Sequence, residues 1–295
     1  MQPSPFTGTG IALVTPFKKD DSVDYRALSD IVEHVVKNGV DYLVVLGTTG
    51  ETPVLAEEEQ IAIVRHVVKV NNGRVPVVMG MGGNNTAALT ASLGSWDFTG
   101  IDAILTASPY YNKPSQRGLF AHYKAVAEAS PLPVILYNVP SRTGSNIKAD
   151  TALALANENA KFIGIKEASG DMNQIMTLAA HKPAQFLLIS GDDALALPLI
   201  SLGGAGVISV VGNAFPRQFS EMVRLALSNR LEEARRIHFS LLEIIGQLFA
   251  EGSPPGIKAA LNILNLCENH LRLPLVPVSR STYTKLSELI GSIPI

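Results

Sequence analysis

The run Phe162-Ile163-Gly164-Ile165-Lys166-Glu167-Ala168-Ser169-Gly170 is short, apolar at its start and closed by a lysine and a glycine-containing turn. Its apolar residues are nearly continuous, the pattern of a parallel strand buried on both faces. Period-two alternation sets Gly164 on the face of Lys166. The missing side chain is expected to leave room for a small substrate beside the amine. Burial disfavours an ammonium, and a neutral lysine amine is a nucleophile toward carbonyls. A strand-end lysine whose head reaches solvent accounts for the same stretch.

A parallel strand needs crossover connections and strand neighbours, and the chain supplies both on either side. Further strands are expected at 11–14, 42–46, 75–79, 102–106, 134–137, 186–189 and 206–210. Helical patterns fall between them: from the Asp24 cap to Asn38, at 57–70 before the Asn72-Gly73 turn, and at 86–98, 118–129, 151–156 and 172–180, with a short helix after Asp193. Strand and helix therefore alternate eight times with short connections, which implies a parallel sheet. Eight units in roughly 220 residues favour a closed (β/α)8 TIM barrel over an open doubly wound sheet. Beyond Phe215 no further strand is expected, and helices read at 231–249, 257–265 and 282–290. The chain is thus divided into a barrel over 1–228 carrying the active site and a C-terminal helical region over 229–295 packed on it, reached in part through Ser253-Pro254-Pro255-Gly256.

Composition narrows the function. The 295 residues are 46% hydrophobic and 17% charged, enough for a large core, and the net charge of −2 gives no electrostatic footprint for nucleic acid or an anionic membrane. No apolar run is long enough to span a bilayer, and the first residues lack the basic-then-apolar order of a signal peptide. The single cysteine, Cys267, excludes an intramolecular disulfide and fits a reducing cytoplasm. The six histidines are scattered over helices without metal-ligand spacing. Gly80-Met81-Gly82-Gly83-Asn84-Asn85 lacks the third glycine and later acid of a dinucleotide fingerprint. Neither a metal nor a cofactor is expected.

In a barrel of this class the chemistry lies where strands end. After the second strand come Gly47-Thr48-Thr49-Gly50-Glu51, with two hydroxyls and free backbone N–H groups suited to a carboxylate. The fourth strand leads to Tyr110 and Tyr111, the fifth ends in Tyr137 followed by Arg142, and the sixth ends in Lys166. An amine beside phenols suits Schiff-base chemistry: the amine attacks a ketone and a phenol moves the protons of carbinolamine formation and dehydration. A guanidinium at Arg142 suits a second carboxylate. Taken singly, each tyrosine reads as a packed amphipath, Arg142 as a surface ion pair and the threonines as turn residues. Asp192-Asp193 reads as a helix cap.

The motifs Gly47-Thr48-Thr49-Gly50-Glu51, Pro109-Tyr110-Tyr111-Asn112, Tyr137-Asn138-Val139-Pro140-Ser141-Arg142-Thr143-Gly144 and Gly164-Ile165-Lys166-Glu167-Ala168 resemble the dihydrodipicolinate synthase family of pyruvate-dependent lyases, and the likeness covers nearly the whole chain. The resemblance implies a condensation of pyruvate with L-aspartate 4-semialdehyde followed by ring closure, in lysine and diaminopimelate biosynthesis. It makes Lys166 the Schiff-base residue and Tyr137 the proton donor and acceptor. Thr48 would link Tyr137 to a Tyr111 supplied by a neighbouring subunit. Thr49 and Ile208 would hold pyruvate, and Arg142 the carboxylate of the semialdehyde. It also implies a homo-oligomer, a dimer of tight dimers. N-acetylneuraminate lyases and keto-deoxy-sugar aldolases share the lysine and tyrosine but typically lack the arginine; a non-catalytic metabolite-binding barrel is the remaining alternative. Feedback-inhibited relatives bind lysine between subunits. Here Asn84 and Tyr110 match that site while Pro53, Glu57, Gln60 and Ala88 depart from it. Ala88 offers no carboxylate to the ligand's ammonium, so weak or absent lysine inhibition is expected; strong inhibition at low lysine in a rate assay would count against it.

Overall fold

The computed structural model describes residues 4–293. Eight parallel strands close on themselves in sequence order. They are β1 (Gly8–Ala12), β2 (Tyr42–Val45), β3 (Val77–Gly80), β4 (Ala103–Ala107), β5 (Val134–Asn138), β6 (Phe162–Glu167), β7 (Leu187–Ser190) and β8 (Gly206–Ser209). The helices are α1 (Tyr25–Lys37), α2 (Glu57–Asn71), α3 (Thr86–Ser95), α4 (Gln116–Ala129), α5 (Pro140–Thr143), α6 (Ala149–Glu158), α7 (Met172–His181), α8 (Ala196–Ser201), α9 (Pro216–Leu227), α10 (Leu231–Phe249), α11 (Pro255–Ile263) and α12 (Arg280–Ser292). The expected (β/α)8 barrel with C-terminal helices is therefore the observed architecture.

Local chemistry sets the element ends. Asp24 caps α1 by accepting from Arg26 and Ala27 N–H, each at 3.1 Å. The chain leaves α2 through Asn72 and Gly73, both left-handed, as the Asn-Gly pair anticipates. Three differences from the sequence reading have physical causes. The first strand begins at Gly8, not residue 11. A Cβ on Gly8 would lie 2.1 Å from the Asp41 carboxylate and one on Gly10 2.2 Å from the Tyr42 ring. Close approach of β2 demands them. The helix α9, opening on Pro216 at a position where a missing N–H costs nothing, went unread. So did the single turn α5, which carries Arg142.

Two layers hold the fold. Inside the barrel, Ala12, Tyr42, Val44, Val78, Leu105, Ile135, Ile189 and Ile208 form one core. Outside it, larger clusters fill the space between strands and helices. One of these outer clusters runs without a break from barrel helices into Leu241, Ile244, Leu248 and Ile257, so the C-terminal helices share a core with the barrel.

Candidate active site

Strand register brings the two key side chains together. Tyr137 pairs with Lys166 and Asn138 with Glu167 across β5 and β6. Residues at one register position share a face. Tyr137 belongs to the interior cluster, and Lys166 Nζ lies 4.4 Å from the Tyr137 ring centroid. Lys166 is 5% exposed. Among the described residues no carboxylate pairs with it, so nothing ties the amine up before substrate arrives.

The opposite face of the same two strands explains why the register does not slip. Glu167 is buried and its carboxylate accepts from Asn138 Nδ2 at 3.0 Å, Gln174 Nε2 at 3.1 Å and Ser169 N–H at 2.7 Å. Asn138 Nδ2 also donates to Asn146 Oδ1 at 2.8 Å, and its own Oδ1 accepts from Ile147 N–H at 2.9 Å. A one-residue slip would turn Glu167 into the barrel and Lys166 out of it, leaving this network unmade. None of these residues was singled out from sequence. The available clue was a polar residue following each chemical one on adjacent strands.

The glycine expected to open space beside Lys166 does not do so. A Cβ on Gly164 would lie 2.7 Å from both Cβ and the carbonyl oxygen of Leu187, so that space is filled by β7. The glycine beside the amine is Gly191, where a Cβ would lie 3.0 Å from Lys166 Cε and 2.6 Å from Ala168 Cβ. Its N–H donates to Glu167 O at 2.7 Å, which fixes it against the end of β6.

Thr48 and Thr49 form one 3-10 turn after β2, closed by Gly50 N–H to Gly47 O at 3.0 Å. Thr48 is exposed at the rim and Thr49 is buried beneath it. Neither hydroxyl is hydrogen-bonded to another described residue. Arg142 stands at the rim on α5, and its guanidinium donates to Ser253 O at 3.1 Å. Thr48, Tyr137, Arg142 and Tyr110 line one cavity of about 700 Å³. Lys166 on β6 and Ile208 on β8 are buried, as is Thr49 in the turn after β2, and none of the three is part of that cavity's wall. Tyr111 is not brought to the site: it is 89% exposed, with a left-handed backbone at φ 73°. The same cavity extends to Pro53, Gln60, Asn84, Ala88 and Trp96, and no acidic residue lines it. Glu57 opens on a separate, smaller cleft. Among the described residues no group of three or more histidine, cysteine or acidic side chains could hold a metal ion.

The adjacent acids Asp192 and Asp193 have different jobs. Asp192 accepts from Ala194 and Leu195 N–H at 2.9 and 3.3 Å and so closes a turn ahead of α8; the helix cap expected of the pair is not formed, since the cap residue is Leu195 and no side chain bonds to the helix start. Asp193 is buried and accepts from Val210 and Val211 N–H at 3.1 and 3.2 Å, bracing the chain after β8. Burial pushes its carboxyl up to about 6. The folded protein thus holds this proton more tightly than the unfolded chain does. Its contribution to stability is largest at low pH and is lost as pH rises from the ordinary carboxylate range through about 6, by on the order of 3 kcal/mol. Asp193→Asn should flatten that part of the stability profile, measured by urea unfolding at a series of pH values between about 4 and 7. An unchanged profile would show that Asp193 is not the group concerned.

Comparison with known proteins places this geometry. The model of the dihydrodipicolinate synthetase family matches residues 5–293. A Parabacteroides distasonis protein named 4-hydroxy-tetrahydrodipicolinate synthase is 53% identical over 288 residues, covering 98% of this chain and 97% of that one. A Phocaeicola vulgatus protein of the same name is 52% identical with the same coverage. The crystal structure of dihydrodipicolinate synthase from Aquifex aeolicus superposes with a TM-score of 0.93 at 41% identity, covering 97% of each chain.

Proposed function

The chain belongs to the dihydrodipicolinate synthetase family, and from that premise we propose how its own residues divide the chemistry. The protein is a lyase of the Schiff-base, pyruvate-dependent aldolase type, acting in lysine and diaminopimelate biosynthesis. Its substrates are pyruvate and L-aspartate 4-semialdehyde. The observation that supports the assignment of roles is the pairing of Lys166 with Tyr137, amine to ring centroid 4.4 Å, at the C-terminal end of the barrel.

Lys166 Nζ attacks the keto carbon of pyruvate. The Tyr137 phenol supplies the proton that lets water leave the carbinolamine, and the phenolate then takes a methyl proton to give the enamine. The enamine carbon attacks the aldehyde of the semialdehyde. The amino group of that substrate then adds to the imine carbon, closing the ring and releasing Lys166. Thr49 and the backbone at Ile208 hold pyruvate, and Thr48 relays protons between Tyr137 and Tyr111. The near-complete exposure of Tyr111 supports its being supplied to the site of a second copy, so the working form is a homo-oligomer, a dimer of tight dimers. No helix among the described residues is long and apolar enough to cross a membrane; the cytoplasm is the compartment assigned, and no nucleic acid or membrane takes part. Residues 229–295 serve as a helical region packed on the barrel of 1–228. The acid-free wall near Ala88 supports weak or absent inhibition by lysine.

Arg142 binds the carboxylate of the semialdehyde. Its loss should therefore discriminate between substrates. Arg142→Ala is expected to raise KM for the semialdehyde about 10- to 100-fold, the scale of one charge-assisted pair. Borohydride trapping of pyruvate on Lys166 should be unchanged. Equal damage to both steps would contradict the assignment and favour a pyruvate lyase acting on another aldehyde.

A further inference from the structure

The mechanism above leaves unused a pair of fully buried opposite charges beside the threonine turn. Glu51 follows the Thr48-Thr49-Gly50 turn directly, and its side chain forms an ion pair with Lys258 of α11, both side chains being 0% exposed. Lys258 Nζ also donates to His270 O at 2.9 Å and lies 4.1 Å from the Phe17 ring centroid. Glu51 Oε2 accepts from Arg272 N–H at 3.3 Å. The Arg272 guanidinium in turn holds Glu59 in a two-pronged pair at 2.7 and 2.5 Å and donates to Val54 O at 2.9 Å.

Burying two charges is a poor way to gain stability, since an apolar pair of similar volume does as well. A different reason is visible in the backbone. The turn is flanked by two non-glycine residues in the left-handed region, Leu46 at φ 55° and Glu51 at φ 54°. Such conformations persist only where surrounding contacts over-determine them. Glu51 is gripped by Lys258 and Arg272, both from the C-terminal region. On the other side of the turn, Thr15 Oγ1 donates to Gly50 O at 2.7 Å.

We propose that Glu51 and Lys258 are a positioning pair for catalysis: through them the C-terminal helices set the Thr48-Thr49 turn that receives the pyruvate carboxylate. The inference rests on the assignment of Thr49 to that carboxylate. It makes the tail of the chain part of the active site's support, acting on the pyruvate wall of the site.

The test removes both charges together, so that neither is left buried alone. Glu51→Gln/Lys258→Met is assayed for thermal stability, for the pyruvate concentration giving half-maximal borohydride labelling of Lys166, and for KM of the semialdehyde. A displaced turn predicts a folded protein that needs about tenfold more pyruvate for labelling, with the semialdehyde KM within about twofold. A merely structural pair would not separate the two substrates. A folded double variant with the parental pyruvate dependence overturns the proposal, as does one in which both substrates suffer alike. Glu51→Asp, which keeps the charges and shortens the arm, is the second variant; it should show a smaller shift in the same direction, and no shift overturns the proposal. If neither variant folds, the pair is a requirement of the fold and the proposal is again overturned. Thr49→Ala run alongside separates the two readings. Unchanged pyruvate labelling in Thr49→Ala removes the carboxylate assignment and this inference with it. Weakened labelling there, with parental labelling in the double variant, removes only the role of the pair.

Discussion

Lys166→Met is expected to lower the condensation rate by about 10⁴-fold or more, the order lost when a covalent nucleophile is removed and only positioning remains. Methionine has nearly the length of the lysine stem and no charge, so it should pack against Tyr137 and Gly191 without disturbing the barrel. The loss should therefore be chemical. Thermal unfolding should change little, and borohydride reduction in the presence of pyruvate should add no mass to the protein. The second readout distinguishes this variant from any that merely weakens binding. Lys166 is the lysine buried beside Tyr137 at the end of β6, so a pyruvate adduct on another lysine of the variant would contradict the assignment directly.

Tyr137→Phe should be the next largest loss, but of a different kind. The ring packs in the barrel interior and meets the amine on its face. Phenylalanine keeps that packing and deletes only the hydroxyl. A general acid–base group is worth typically about 10²–10⁴ in rate, so kcat should fall within that range. Lys166 should still become labelled, more slowly and to the same final extent. If labelling is abolished outright, the hydroxyl acts in forming the amine's site and not in proton transfer. If the rate is unaffected, another group moves the protons. Comparing the two variants separates the nucleophile from the proton carrier, since only one of them should ever trap pyruvate.

The parts of this structure that could be read ahead were those written in period and punctuation. Continuous apolar runs marked the parallel strands, and the capping Asp24 and the Asn72-Gly73 exit marked helix ends. Strand ends then located Tyr137, Lys166 and the threonine turn, because a barrel gathers them on one face. What escaped depended on neighbours that sequence does not show. The start of β1 at Gly8 escaped because the purpose of Gly8 and Gly10 is the close approach of the Asp41 and Tyr42 side chains. Gly164 looked like substrate space because alternation placed it beside Lys166, yet β7 occupies that side and Gly191 is the residue that leaves the amine room. Glu167 is polar in an apolar run, and its one local partner, the Ser169 N–H, does not account for its burial. Its partners Asn138 and Gln174 stand on another strand and another helix, 29 and 7 residues away. The same holds for Glu51, which reads as the last letter of a turn motif until Lys258 is seen opposite it.

In the proposed mechanism, pyruvate bound through Lys166 is passed to the semialdehyde held by Arg142. The most direct measurement is pyruvate consumption by the purified protein, with and without L-aspartate 4-semialdehyde. Turnover should require the semialdehyde, with no pyruvate consumed in its absence. No turnover with the semialdehyde present, or turnover indifferent to it, would rule out the semialdehyde as the acceptor.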